Sequence, residues 1–183
     1  MMSMPIPTLD GSRIRLRPLR ADDADALYAL HSDSQVMRYW SRTAWTDRAE
    51  SISHLERMAQ AERDGDIPWA IARREDDVLI GSLSLFQIVP EQARGMFGYA
   101  LQSASWGHGF ALEAARLGLA HAFSALRLER IEADIDPANQ PSRRLAERLG
   151  FKQEGLLRRR WKVDGVWSDT VWYGLLREEF IGA

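Results

Sequence analysis

The sequence predicts an α+β fold, a mixed sheet with helices on both faces. Three observations lead there: segments of period two and period 3.6 interleave along the whole chain, a polar turn joins two strands as an antiparallel hairpin, and a glycine-bearing turn links a strand to an alanine-rich helix. The length of 183 residues suits one domain, and 45% hydrophobic residues with seven tryptophans supply the apolar surface for a core.

Arg13-Ile14-Arg15-Leu16-Arg17 alternates charge with aliphatic and reads as a strand with one buried face. Asp22 stands before Ala24, Leu27, Tyr28 and His31 as the expected cap of a first helix. Asp47 and Glu50 head a second helix through Ile52, Leu55, Met58 and Ala59. Trp69-Ala70-Ile71-Ala72 and Val78 to Phe86 flank the turn Arg74-Glu75-Asp76-Asp77 as two hairpin strands. A strand over Met96 to Leu101 leads into Trp106-Gly107-His108-Gly109-Phe110-Ala111 and a helix reaching about Ser124, in which Ala111, Ala114, Ala115, Gly118 and Ala122 allow close packing on a sheet. Arg130 to Ile135 is a strand, Asn139 to Leu149 a helix stopped by Gly150, and strands near Phe151–Leu157 and Trp167–Leu175 end the chain. Seven strands are expected, in a domain over residues 13–183 behind an N-terminal arm over residues 1–12.

Composition excludes several functions. With 24 Lys+Arg against 26 Asp+Glu, the net charge of -2 gives no general attraction to nucleic acid, and no nucleic-acid partner is expected. The absence of cysteine removes disulfides, thiolate metal sites and thiol nucleophiles. The four histidines form no metal-ligand pair, so no metal is expected. No apolar run approaches the ~18 residues of a membrane span, and the start Met1-Met2-Ser3-Met4-Pro5 lacks the regions of a signal peptide. The expected compartment is the cytoplasm.

The chemistry concentrates at Trp106–Ala111. A helix start presents free amides and a partial positive charge, and Gly107 and Gly109 permit close approach of a phosphate, although two such glycines also shape an ordinary turn. The dinucleotide fingerprint fits poorly because Leu112 stands where a small residue is needed, and no P-loop lysine follows Gly109.

This stretch resembles the acetyl-CoA loop of the GNAT acetyltransferase superfamily, Gln/Arg-x-x-Gly-x-Gly/Ala. More closely it resembles the branch of ribosomal-protein alanine/serine N-terminal acetyltransferases, whose Trp-Gly-x-Gly-aromatic-Ala-x-Glu-Ala is matched by Trp106, Gly107, Gly109, Phe110, Ala111, Glu113 and Ala114. A second signature falls on Asn139, Ser142, Leu145, Gly150 and Phe151, and a third on Gly165 and Asp169. The three occur in order within a likeness running from about Arg13 to Phe180.

The resemblance implies a mostly antiparallel seven-stranded sheet with a V-shaped splay between its fourth and fifth strands. It implies acetyl-CoA as cosubstrate, held by the backbones of Tyr99, Ala100 and Leu101, by the amides of Gly107, His108, Gly109, Phe110, Ala111 and Leu112, and by Asn139, which also reads as a helix cap. Arg144, with Arg143 and Arg148, is placed to reach a CoA phosphate. The implied reaction is direct attack of a neutral amine on the thioester. The tyrosine that many relatives use as general acid is Ala146 here, so Ser142 becomes the candidate acid. The glutamate common in the branch is Met96, which leaves Asp134, Asp136 and Glu113 as carboxylates to consider as base. Trp40 and Trp45 are expected to wall the acceptor side, Trp69 to pack in the core, and Arg158-Arg159-Arg160 to alternate in exposure. The acceptor is expected to be a peptide N-terminus or a small-molecule amine, with a homodimer as family habit. The competing readings are a non-catalytic acyl-CoA-binding module of the same fold and an NAD enzyme.

Overall fold

A computed structural model describes residues 5–182 of the chain. The first four residues, on which the signal-peptide expectation partly rests, lie outside the described residues. The strands are β1 (Leu9–Asp10), β2 (Ile14–Pro18), β3 (Ile67–Arg73), β4 (Leu79–Val89), β5 (Arg94–Leu101), β6 (Arg130–Ile135), β7 (Lys152–Val163) and β8 (Val166–Leu176). The helices are α1 (Ala24–Ser32), α2 (Ser34–Met37), α3 (Ala49–Arg63), α4 (Phe110–Ser124) and α5 (Gln140–Leu149). All strands join one sheet in the order β1-β2-β3-β4-β5-β6-β8-β7. The sheet thus has eight strands rather than seven. The additional one, β1, is two residues long and exists through its pairing with β2, Leu9 to Leu16 and Asp10 to Arg15, which no local pattern signals.

Alternation along the strands sorts side chains between two cores. Leu16, Trp69, Ile71, Leu83, Phe97, Ile131 and Tyr173 pack with Ala114, Ala115 and Leu119 of α4 and Ala146 and Leu149 of α5. On the opposite face Ala70, Leu79 and Ala100 pack with Leu27 and Leu30 of α1, Val36 and Met37 of α2, and Trp45. The first helix is headed by Asp23 rather than Asp22. The Asp23 carboxylate accepts the Arg20 amide at 2.8 Å and holds both nitrogens of the Arg17 fork, at 2.8 and 2.9 Å. Arg17 and Asp23 are both buried, so this bidentate pair ties β2 to the start of α1.

Only β5 and β6 run parallel, and their pairing stops early. Arg94, Gly95 and Met96 face Arg130, Ile131 and Glu132; beyond Met96 and Glu132 the strands part, while β5 stays paired to β4 as far as Leu101 and β6 to β8 as far as Ile135. On one face of the parting Tyr99 reaches α5, and on the other a wide cavity opens beside Met96 and Gly98.

At the far edge, β7 and β8 form a hairpin through Asp164 (φ 48°) and Gly165 (φ 81°), the left-handed pair of a type I′ turn. The arginine run does not alternate. Its register shifts between Leu157 and Trp161, Arg159 adopts φ 50°, and the Arg159 amide donates to Asp169 Oδ1 at 2.8 Å, leaving all three arginines exposed.

Candidate active site

The glycine turn begins where β5 ends. Trp106 Nε1 donates to the Leu101 carbonyl at 2.8 Å, which turns the chain back over the strand end and engages that carbonyl internally. Gly109 caps α4 at φ 79°, and the first intrahelical bond runs from Glu113 N to Gly109 O at 3.1 Å, so the amides of Phe110, Ala111 and Leu112 precede the ladder. Arg13 holds the turn from beneath. Its Nη1 donates to the His108 carbonyl at 2.8 Å, and its guanidinium lies 5.0 Å from the centre of the Phe110 ring, on which exposed His108 stacks. A side chain at Gly107 would meet nothing within 4 Å, and one at Gly109 only Arg13 Nη2 at 3.4 Å. The turn is therefore an outward cradle of amides at a positive helix end, which fits a diphosphate.

Glu113 belongs to this support and not to the reacting centre. Its Oε1 accepts from Ser12 Oγ at 3.0 Å and Arg13 N at 2.8 Å, its Oε2 from Arg13 Nε at 3.0 Å, and these bonds hold its carboxyl below the usual range against the burial that raises it. A carboxylate so occupied is a poor base.

Where β5 and β6 part, a cavity of about 650 Å³ crosses the sheet from the α1–α3 face to α5. On the α5 side, Tyr99 Oη lies 3.1 Å from Ser142 Oγ, in the first turn of α5. Burial pushes the Tyr99 phenol up, so it keeps its proton over the physiological range. Asn139 caps the helix by accepting the Ser142 amide at 3.3 Å, and it also lines the cavity.

On the other side, Asp134 follows the parting of the strands by two residues. Trp161 Nε1 donates to its Oδ2 at 3.2 Å, and burial, the largest influence, holds its carboxyl above the ordinary value. Asp136 accepts the Ala138 amide at 2.8 Å and heads the loop before α5.

Of the three α5 arginines, Arg143 turns inward, with Nε on Tyr173 Oη at 3.1 Å, whereas Arg144 and Arg148 are exposed. Trp40 lines the cavity, while Trp45 lies buried behind it and Trp69 is fully buried in the core with its indole N–H on the Pro7 carbonyl at 2.8 Å. Met96 and Ala146 are buried apolar positions. Sequence reasoning missed the Tyr99 phenol, which was considered for its backbone alone, and the Arg13 prop, which no local pattern marks. It also missed Arg42 and Arg57 on the α1–α3 wall of the cavity. Among the described residues no group of three His, Asp or Glu gathers as for a metal, and no helix is long and apolar enough to cross a membrane.

A sheet parted along its single parallel pair, with an amide cradle at the end of the parting strand, defines an acyl-transfer enzyme of GNAT type. Comparison with known proteins agrees. The profile of the acetyltransferase (GNAT) domain matches residues 13–152. An uncharacterized N-acetyltransferase, p20, from Bacillus licheniformis is 35% identical over 176 residues, spanning 96% of this chain and 99% of its own. A probable N-acetyltransferase, YjcK, from Bacillus subtilis is 36% identical over 167 residues, 88% and 92% of the two chains. Among solved structures, Mycobacterium smegmatis RimJ in complex with CoA-disulfide superposes with a TM-score of 0.86 at 29% identity, over 95% of this chain and 89% of that one. The chain belongs to the GNAT acetyltransferase family, and it is an N-acetyltransferase.

Proposed function

We propose that this enzyme transfers the acetyl group of acetyl-CoA to a primary amine, of a peptide N-terminus or a small molecule, by direct attack in a ternary complex. The observation that carries the reading is the cavity that joins Ser142 and Tyr99 on the α5 side to Asp134 on the α1–α3 side, in the parting whose strand β5 leads on to the turn at Gly107–Leu112. That RimJ was solved with a CoA-disulfide supports the same ligand class here.

Bound in the cleft, acetyl-CoA supplies an acyl group activated as a thioester. The amides of Gly107, His108, Gly109, Phe110, Ala111 and Leu112 would hold its diphosphate, the free edge of β5 at Tyr99 and Ala100 and the Asn139 amide its pantetheine arm, and exposed Arg144 its outer phosphate. The amine nitrogen forms the new N–C bond, the C–S bond breaks with its pair going to sulfur, the nitrogen loses one proton and the sulfur gains one. Asp134 is suited to accept the first proton, because burial has raised its basicity. Ser142 is suited to donate the second. Tyr99, protonated, donates to Ser142 Oγ and leaves the serine O–H free to point at the sulfur.

The test is release of free CoA from acetyl-CoA by the purified chain over a panel of amines and peptide N-termini. Release above the background of acetyl-CoA alone, with a matching acetylated product, is expected for at least one acceptor. Stabilisation by acetyl-CoA without release over the whole panel would replace this reading with a non-catalytic acyl-CoA-binding module.

A further inference from the structure

The α1–α3 wall of the cavity carries charge that the transfer steps do not use. Arg42, in the loop after α2, is half-buried, its guanidinium 5.0 Å from the Trp45 ring centre and 5.6 Å from that of Trp40. Its Nη2 lies 3.1 Å from His31 Nδ1. Arg57, on α3, lines the same wall. Among the described residues neither guanidinium has a carboxylate within 4 Å. Glu50, the acid that Arg42 feels, is engaged by the amides of Thr46 and Asp47.

Among the described residues the neighbouring groups bring no opposite charge to either guanidinium at close range. His31 is pushed down to about 3, first by burial and then by Arg42; His54 goes to about 4, by burial, Arg57 and Arg42. Both rings are neutral at physiological pH. Since His31 Nδ1 accepts from Arg42, its proton sits on Nε2, which is buried without a partner among the described residues. The cavity carboxylates other than Asp134 are turned to backbone amides: Asp66 to Gln87, Asp136 to Ala138 and Asp169 to Arg159. Two guanidinia that repel each other, against aromatic walls and with Glu50 and the cavity's aspartates more than 4 Å away, form a site that an added carboxylate would complete.

We propose that Arg42 and Arg57 form an anion subsite for the acceptor, so that the substrate is an amine bearing its own carboxylate, which the two guanidinia hold while the nitrogen faces Asp134. Ile131 and Ala133 of β6 face the α4–α5 core, so by alternation Asp134 points to the face that carries Arg42 and Arg57. A planar guanidinium matches a carboxylate through two parallel N–H bonds, and the partly dry wall strengthens them. The carboxylate is either the α-carboxylate of a free amino acid or an acidic side chain next to a peptide N-terminus. The proposal rests on the acetyl-transfer reading above, and the experiment separates the two.

With acetyl-CoA saturating, CoA release is measured for the proteinogenic L-amino acids against their amides, and for Ser-Asp-Ala-amide against Ser-Asn-Ala-amide. At least one acid is expected to exceed its neutral counterpart about 30-fold or more in kcat/KM, since loss of the anion leaves two like-charged guanidinia, one of them half-buried, without their partner. Which pair shows the difference identifies the source of the carboxylate. Arg42→Gln should erase that preference through KM. Arg57→Gln, at an exposed helical position, gives the same readout if the first variant misfolds. Should no acceptor turn over, thermal midpoints with N-acetylglycine and N-acetylglycinamide decide: a shift with the acid alone, lost in Arg57→Gln, supports the subsite, and no shift with either overturns it. Equal use of acids and amides also overturns it. A missing midpoint shift with acetyl-CoA itself would instead sink the acetyl-transfer reading.

Discussion

At the scale of single residues the proposed transfer rests on two protons and the groups suited to move them. Ser142→Ala removes the proposed donor and spares the Asn139 cap, which engages the Ser142 backbone. Its kcat should fall by roughly 10²–10⁴-fold, the usual contribution of a positioned acid, with acetyl-CoA affinity within about twofold of the parent. An unaltered kcat would remove Ser142 from that role. Asp134 has a pH signature. Its carboxyl is raised by burial, so as pH falls it becomes protonated, and stops acting as a base, at a pH above that of an ordinary aspartate. The acid limb of kcat/KM should therefore lie above about 3.9, and Asp134→Asn should lower the rate and flatten that limb. A variant that kept the limb would assign it to another group. The chain itself displays three acidic candidates without ranking them. Burial and partners separate them in the fold, since Glu113 is claimed by Ser12 and Arg13, just before β2 and about a hundred positions away, and Asp136 by its own loop.

At the scale of elements, the strand, glycine turn and helix from β5 to α4 were legible because each is a local pattern: alternation, two glycines, then an alanine-rich stretch. The turn's stiffness was not. It comes from Arg13, whose guanidinium binds the His108 carbonyl and lies on Phe110 while Glu113 grips its backbone. Pairing over such a sequence separation leaves no periodic trace. Gly109→Val tests the element. A β-branched residue at φ 79° costs about 1–3 kcal/mol and places its Cβ in ordinary contact with Arg13 Nη2 at 3.4 Å, so the strain falls on the backbone of the cradle. That is small against a typical domain stability of ~5–15 kcal/mol, so the variant should fold and lose acetyl-CoA binding at least about tenfold by calorimetry. Unchanged affinity would dissociate the turn from the cofactor. The β7–β8 hairpin shows the same division. Its two strands were legible near Phe151–Leu157 and Trp167–Leu175, whereas the bulge at Arg159, closed by Asp169, needs the partner strand before it exists.

At the scale of the molecule, the sheet consists of two parts that meet along three residue pairs. One part is β1–β5; the other is β6–β8 with α5; between them β5 and β6 pair only over Arg94–Met96 and Arg130–Glu132. The remaining joint is the shared apolar core under α4 and α5, together with Tyr99 on Ser142. A ligand lying in the parting touches β5 and the α4 turn on one side and α5 on the other, and so binds the native arrangement but not the unfolded chain. Mass action then adds about 2.7 kcal/mol at a concentration 100 times its Kd. For a domain of this size each kcal/mol raises the midpoint by roughly 2–4 °C, which gives a shift of roughly 5–11 °C. Differential scanning calorimetry with acetyl-CoA, and with NAD in parallel, measures it. The shift should appear with acetyl-CoA alone, and hydrogen exchange at residues 97–101 of β5, which are paired to β4 but not to β6, and in the first turn of α5 should slow together, since one ligand spans both. A shift confined to NAD, or slowing on one side only, would show that the parting between β5 and β6 is not where acetyl-CoA lies.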